Sequence, residues 1–439
     1  MKRSYSVFSA LIGSALLAAC GGNHTGPSAF VPATGAQWAG GPAVARRSAT
    51  EKVLYRFQGG KADGAFPQGG LLDLDGALYG TTVYGGGPTC ADYENSPGCG
   101  TVFAIDSSGA TYKVLHRFPH DGVGGTLPAG ALTYTNGTLY GTTQWGGSAT
   151  PCHGNTGCGS VFALDPSGKD FSIVHAFNGN DGYAIYAGVV ASKGALYGAA
   201  LGYGAHGAVY RLSHGKLRIL HAFTGTDGNF PIVAPIVAKN VLYGVTPAGG
   251  NGPCNSPWGT GCGMIYALDT NGNGYRVLHS FSGKDGAFPD NVLAVNGVLY
   301  GTTGAGGGTN CSNPSAPTGC GVFFRMKMDG RDFKVLYRFN SGKDGNSPNA
   351  LWAYDNGTFY GDNSFGGNAA CKNGCGTVFA VDTAGRYTVL YRFKGGTDGA
   401  NPSSYGPIEL NGSLYGVTVY GGGMGCGGNG CGTVFEVQP

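Results

Sequence analysis

Seven blades of four short strands, closed into an all-β propeller, are what this chain of 439 residues predicts. Three observations carry the prediction. First, three phrases recur. A "VLYRF"-like phrase starts at residues 53, 114, 173, 219, 277, 335 and 389. An "LYG"-like phrase sits at Leu78, Leu139, Leu196, Leu242, Leu299, Phe359 and Leu414, and a "TVFAI"-like phrase at Val102, Val161, Val209, Ile265, Val322, Val378 and Val434. Each comes seven times, at a period that marks a repeat architecture. Second, runs rich in Val, Leu, Tyr, Phe and Thr lie between Gly, Asp and Ser turns with no 3.6-residue periodicity, so the units are strands. Third, the two ends are complementary fragments of one unit.

Taken from the N-terminus, residues 1–19 read as an export signal: a basic start, "MKRSYS", then an apolar run too short to span a bilayer. The "LAAC" that follows resembles the lipobox of bacterial lipoproteins, which implies lipidation of Cys20. By the same resemblance, Gly21 implies the outer membrane, with the lipid as the membrane contact. Residues 20–50, rich in Gly, Ala, Pro, Ser and Thr, read as a flexible tether, and 51–439 as the propeller.

Within blade 1, "GGLLDL" (69–74), "ALYGTT" (77–82), "TVFAID" (101–106) and "TYKVLHRF" (111–118) are the four strands, inner to outer. The phrase at 52–57 is an outer strand without a blade, and 433–437 is a third strand lacking its outer partner. Pairing them closes the ring and hides both strand edges. An open solenoid would instead carry atypical caps at its ends.

The 86 glycines are about three times the share expected from average usage of roughly 7%. A net charge of +3, with 12% charged residues and no basic cluster in the body, argues against a nucleic-acid partner. Of 13 cysteines, all but Cys20 fall into close pairs. Cys90 goes with Cys99, Cys152 with Cys158, Cys254 with Cys262, Cys311 with Cys320, Cys371 with Cys375 and Cys426 with Cys431. In an exported chain these read as local disulfides, and their varied spacing lacks the regular form of zinc sites.

Strand order and turn positions resemble the Kelch blade. The repeated "VLYRF…DGA-P…LYGTT-YGG…GTVF" resembles the GloVer repeat, a glycine-rich bacterial family, over residues 52–437. That resemblance implies display at the cell surface or envelope and brings no catalytic residue with it.

Crossings between blades and second-to-third loops share one face, which is therefore the elaborated one and the place for function. Asp63, Asp121, Asp181, Asp227, Asp285, Asp344 and Asp398 recur there before glycine. Calcium or sugar ligands are one reading; turn-forming aspartates bonding nearby backbone are the expected one. No cofactor and no metal site is indicated. Symmetry breaks in the position five residues after each "LYG" tyrosine: Tyr84, Trp145 and, beyond the ring closure, Phe365 and Tyr420 are aromatic, with Tyr203 displaced by one in blade 3. This arc stacks on sugar rings or flat apolar ligands, or it packs between blades; the sequence leaves both readings open. Blade 3 is short, lacks a cysteine pair, has Ile185 for the crossing proline, and joins its middle strands by "GYGAHG" (202–207), which leaves a notch in the rim.

His116, His175, His221 and His279 share an outer-strand slot with Tyr55, Tyr337 and Tyr391, which reads as packing. No nucleophile elbow, zinc motif or phosphate loop is present. Asp92 and Glu94, on one disulfide loop, are the acids that break the repeat. No catalytic constellation is recognisable. The reading is a monomeric, lipid-anchored envelope protein binding polysaccharide or envelope glycan. A scaffold for another envelope protein is the alternative, and a carbohydrate-active lyase or hydrolase the next.

Overall fold

The computed structural model describes residues 49–439 except 89, 91–97, 120–122, 149, 153–154, 257–258, 309–310, 312–318, 341, 343 and 352. The signal segment, Cys20, nearly all of the tether, Asp92, Glu94 and Asp121 lie outside the described residues.

Seven antiparallel sheets follow one another around an axis. Blade 1 runs, inside to outside, Leu72–Leu74, Ala77–Gly85, Thr101–Asp106 and Tyr112–Arg117. Blades 2 to 6 repeat this order, with second strands at Thr138–Thr143, Ala195–Ala200, Val241–Thr246, Val298–Ala305 and Thr358–Phe365. The expected inner strand at 69–74 is shorter. Gly69 and Gly70 lie in a break between Gly64–Pro67 and Leu72–Leu74, both of which pair with the second strand. A Cβ on Gly69 would meet Thr81 Oγ1 at 2.3 Å and the Gly130 carbonyl oxygen of the next blade at 2.8 Å, so the chain passes too close there to keep a ladder.

Blade 7 supplies Ile408–Leu410, Ser413–Gly421 and Thr433–Gln438, and its outer strand is Thr50–Arg56 from the other end of the chain. The closing register runs from Thr50 opposite Gln438 to Arg56 opposite Thr433. The ring thus closes as the complementary ends require.

The repeated phrases have separable physical causes. In all seven blades the "LYG" glycine lies under the aromatic ring of the third strand: a Cβ on Gly80 would meet Phe103 Cζ at 2.5 Å, and one on Gly416 would meet Phe435 Cζ at 2.4 Å. The next residue stitches blades together where it is threonine, as Thr142 Oγ1 donates to the Ala187 carbonyl at 2.9 Å and Thr302 Oγ1 to the Asn349 carbonyl at 2.8 Å. On the plain face, Asp75–Gly76 (φ 53° and 83°) and Asn411–Gly412 (52° and 83°) form the two-residue turns that match strand twist. Tyr405 of blade 7 packs with Ala131 of blade 2 and Ala350 of blade 6, a contact that joins blades not adjacent in the ring.

Blades 3 and 4 carry tyrosine where the other blades have the third-strand phenylalanine. The Tyr210 and Tyr266 hydroxyls are buried with no partner among the described residues. Removing an unsatisfied buried hydroxyl without changing shape is favourable. Tyr266→Phe is expected to raise stability by about 1 kcal/mol, read as a higher denaturant midpoint. A lower midpoint would show that the hydroxyl is bonded in solution.

The closing strand carries one ionisable oddity. At the outer-strand position where other blades place an aromatic ring (Tyr112, Phe171, Tyr275, Phe333, Tyr387), blade 7 has Glu51. Desolvation, with the charge of Asp398 adding to it, pushes its carboxyl up to about 7, while Lys394, Arg56 and Tyr391 pull the other way. The folded chain therefore holds a proton that the unfolded chain gives up near 4.5. That contribution to stability is complete at low pH and is lost as pH rises through about 7. Glu51→Gln is expected to raise Tm by about 1–2 °C at pH 8 and to change it little at pH 5, an increment reduced by the group's partial exposure. An equal effect at both pH values would contradict this.

Candidate functional site

The elaborated face begins with a clasp. In five blades, among the described residues, the outer strand presents Tyr or His toward the Asp-Gly of the crossing that follows. Tyr55 donates to Asp63 Oδ2 at 3.0 Å and Tyr391 to Asp398 Oδ2 at 3.0 Å. His175, His221 and His279 meet Asp181, Asp227 and Asp285 through Nε2 at 2.9, 3.0 and 3.0 Å. The same carboxylates accept the backbone N–H of Gln58, Asn178, Thr224, Ser282 and Lys394. The slot ring also stacks on the next blade, as in Tyr55–Tyr112 and His279–Phe333, each with centroids 3.7 Å apart. The recurrent aspartates and the His/Tyr slot are thus one structural device. His116, whose Asp121 lies outside the described residues, stacks on Phe171, and burial pushes it down to about 4.

All six expected cysteine pairs are disulfides. Cys90 is bonded to Cys99, Cys152 to Cys158, Cys254 to Cys262, Cys311 to Cys320, Cys371 to Cys375 and Cys426 to Cys431, with Cα–Cα separations of 4.9–5.3 Å. Three of them seat against a crossing glycine: a Cβ on Gly59 would meet Cys426 Sγ at 3.1 Å.

Past the aspartate the backbone takes a turn that sequence reasoning missed. The residue before the crossing proline, or before Ile185 in blade 3, has positive φ in every blade: Phe66 (56°), Leu127 (56°), Ala184 (54°), Phe230 (66°), Phe288 (58°), Ser347 (52°) and Asn401 (53°). For a phenylalanine this is a strained conformation. The compensation is regular, because the second cysteine of the preceding blade offers its carbonyl to the amide of this residue. Phe66 N donates to Cys431 O and Asn401 N to Cys375 O, both at 2.8 Å. Leu127 N reaches Cys99 O and Phe288 N reaches Cys262 O at 2.9 Å, Ala184 N reaches Cys158 O at 3.0 Å, and Ser347 N reaches Cys320 O at 3.1 Å. Each of these residues is therefore a wedge tied to the neighbouring blade's loop.

Blade 3 replaces the disulfide with one residue. The His206 ring lies 3.0 Å from where a Gly225 Cβ would be, and its carbonyl accepts the Phe230 amide as a cysteine's does elsewhere. A scan for cysteines cannot see this substitution; alignment of the loop's last residues can.

The wedges complete the aromatic arc. Phe66 meets Tyr84 of its own blade edge-on (centroids 5.9 Å) and Tyr420 of blade 7 (5.6 Å). Tyr84 and Trp145 pack on a shared floor of Val83, Leu127 and Ala129. Trp145 lies parallel to Tyr183 (6.4 Å), whose ring covers Gly202. The run is thus Tyr420, Phe66, Tyr84, Trp145 and Tyr183 across blades 7, 1, 2 and 3. Phe365 on blade 6 and Tyr203 on blade 3 stand at its two ends, and all seven rings are partly exposed. Burial, with Tyr84 nearby, raises the Tyr420 hydroxyl above its ordinary value and keeps it neutral, a donor and acceptor for sugar hydroxyls. Phe66 and Tyr183 were missed because they sit on crossings, not on the second strand.

Fold and site together define a disulfide-stapled, seven-bladed propeller with one aromatic-lined face. The model of the Gloeobacter/Verrucomicrobia repeat matches residues 148–313 and 308–439, and the chain belongs to that repeat family. No curated protein matches it. Among solved structures, it is similar to an oligogalacturonate lyase from Vibrio parahaemolyticus (8% identity, TM-score 0.48, covering 89% of this chain and 97% of that one). It is also similar to a puromycin hydrolase mutant complexed with PGG (12% identity, TM-score 0.50, 81% and 50%) and to TolB from Acinetobacter baumannii (12%, 0.38, 77% and 76%). At these identities the likeness is one of fold.

Proposed function

We propose that this protein is a lipid-anchored binding propeller of the cell envelope, held at the outer membrane through Cys20, whose elaborated face takes polysaccharide or envelope glycan. The observation that carries the reading is the run of five partly exposed rings, Tyr420 to Tyr183, along the rim of adjacent blades. Rings set side by side on a rigid scaffold offer successive sugar residues flat apolar faces, while hydroxyls and amides at the edges meet their polar groups. The experiment is retention of the protein on immobilised bacterial and plant polysaccharides, with eluates assayed for new reducing ends. Selective retention without new ends supports binding; new ends would establish the lyase or hydrolase alternative; no retention on any member overturns the glycan reading. The second reading, a scaffold for another envelope protein, draws on blade 3, where the short turn exposes Gly204 and Ala205.

A further inference from the structure

Charge is unevenly divided over the plain face. Between Asp181 and Asp227, across blade 3, the sequence has no carboxylate, whereas Lys193, Arg211, Lys216 and Arg218 all lie there. The repeat is broken at three positions. The third strand carries Arg211 where blades 1, 2, 4 and 6 have Ala104, Ala163, Ala267 and Ala380. Two residues on, Ser213 stands in place of Asp106, Asp165, Asp269 and Asp382. Lys193, and Lys239 in blade 4, head the turns that Asp75 heads in blade 1. These cations are scattered in the sequence, which has no basic run in its body, and are gathered by the fold.

Arg211 lies directly opposite Arg218 on one side and Tyr197 on the other. Tyr197 packs with Leu242 and Tyr266 of blade 4, so both arginines are on the sheet face turned toward that blade. Lys216, two residues from Arg218, shares that face. Like charges opposed across a ladder cost stability, and nothing in the protein offsets this pair. The side chains of Lys193, Arg211, Lys216, Arg218 and Lys239 have no hydrogen-bond or ion-pair partner among the described residues. In blades 7 and 1 the cation at the position of Arg218 is used internally. Lys52 Nζ donates to the Ser108 carbonyl at 2.9 Å, and Lys113 Nζ to the Ser167 carbonyl at 3.0 Å. Blade 5 repeats the opposition as Arg325 and Lys334, while its turn acids Asp329 and Asp332 are paired with Arg331 and Lys327. Blades 3 to 5 thus form a basic sector in which Asp269 is the remaining plain-face acid. Asp75, Asp106, Asp165, Asp382 and Glu409 lie on the other blades.

We propose that this sector docks the protein on the phosphate headgroups of an anionic bilayer. The side of approach rests on the anchored reading of Cys20; the charge pattern does not. Thr50, the first residue of the closing strand, pairs with Gln438 at the plain-face end of blade 7, so the chain enters the ring on this face. A lipid on Cys20 therefore brings the plain face toward the membrane. Lys193, Lys216 and Lys239 are exposed at or beside the short turns of that face, where a flat surface meets them first. Guanidinium and ammonium groups bond phosphate oxygens directly, and each one near an anionic surface strengthens attachment about fivefold. A basic patch of this kind adds to a lipid chain as a second signal. Contact through blades 3 to 5 leaves the elaborated face, with its aromatic run, turned away from the bilayer.

The test is flotation of the purified full-length protein with vesicles of phosphatidylcholine, alone or with about 30% phosphatidylglycerol. Neutral vesicles report the lipid on Cys20, and the gain on anionic vesicles reports the sector. That gain is expected to be at least about 100-fold, and to vanish at about 1 M salt, where charges are screened within about 3 Å. Lys193→Gln/Lys216→Gln/Arg218→Gln should lower it by about 100-fold, three cations acting at about fivefold each. All three side chains are exposed, and Arg218→Gln ends the opposition to Arg211, so Tm should hold or rise. Lys61→Gln/Lys284→Gln/Lys372→Gln removes the same charge from the elaborated face and should keep the gain. Equal partitioning of the wild type on both vesicles overturns the proposal, as does a gain kept by the first variant or lost equally by the second. Partitioning on anionic vesicles alone would overturn the lipid on Cys20 and support the sector.

Discussion

A chain that starts at Gln58, without the closing strand, is expected to lose its cooperative thermal transition. Residues 50–56 form blade 7's outer edge, and their removal exposes the whole of Thr433–Gln438 as an open strand. It also removes Phe57 (2% exposed) and Leu54 (9%) from a core they share with Phe103, Ile105 and Val434. Phe57 sits edge-on to Phe103 at 5.2 Å, and its amide bonds the Gly432 carbonyl at 3.0 Å, so it joins blade 1 to blade 7. Truncating two such side chains alone costs about 5–10 kcal/mol. Net stabilities are typically about 5–15 kcal/mol, so little remains. The milder Phe57→Ala should cost about 3–5 kcal/mol in a denaturant melt and leave a folded ring. A truncated chain that melts cooperatively within a few degrees of the intact one would show that closure does not hold the ring.

The second large effect concerns binding. Trp145→Ala combined with Tyr420→Ala is expected to weaken retention on a bound polysaccharide by about 100-fold. Each aromatic contributes about 1–2 kcal/mol of stacking and apolar burial to a sugar ring, and the two act on different sugars, so about 3 kcal/mol is lost. Phe66 and Tyr84 remain between them, so residual binding persists. Both sites are partly exposed, and the fold should survive with a loss of about 1–2 kcal/mol, checked by Tm. Unchanged affinity in a folded double variant would return these rings to packing.

Much of this architecture was legible because a short phrase recurs with fixed phase. Glycine under a third-strand ring, threonine stitched to the next blade and Asn-Gly or Asp-Gly turns are local demands that leave local marks. The disulfides were legible for the same reason: Cys90 and Cys99, or Cys311 and Cys320, close one loop of one blade. The ring closure was legible because a lone outer strand at 52–57 and an unpaired third strand at 433–437 need each other. What stayed hidden is set by contacts between blades. A residue before proline ordinarily avoids the helical regions, and phenylalanine avoids positive φ, so nothing near Phe66 announces its conformation. The Cys431 carbonyl decides it. His206 takes a disulfide's place because a ring fills the same space against Gly225, which no motif records. The clasp reads in sequence as two features, a His/Tyr slot and an Asp-Gly turn, because the bond that unites them spans six to eight residues. Of the site, Tyr84, Trp145 and Tyr420 were legible as breaks in a column, whereas Phe66 and Tyr183 belong to another column read only after the blades are stacked.

Retention of the wild-type protein and the Trp145→Ala/Tyr420→Ala variant, side by side on the same polysaccharide panel, tests the central claim most directly. The account predicts selective retention of the wild type on at least one member, no new reducing ends in the eluate, and loss of that retention in a variant of near-native Tm. Equal retention of both proteins, or retention of neither on every member, would contradict it.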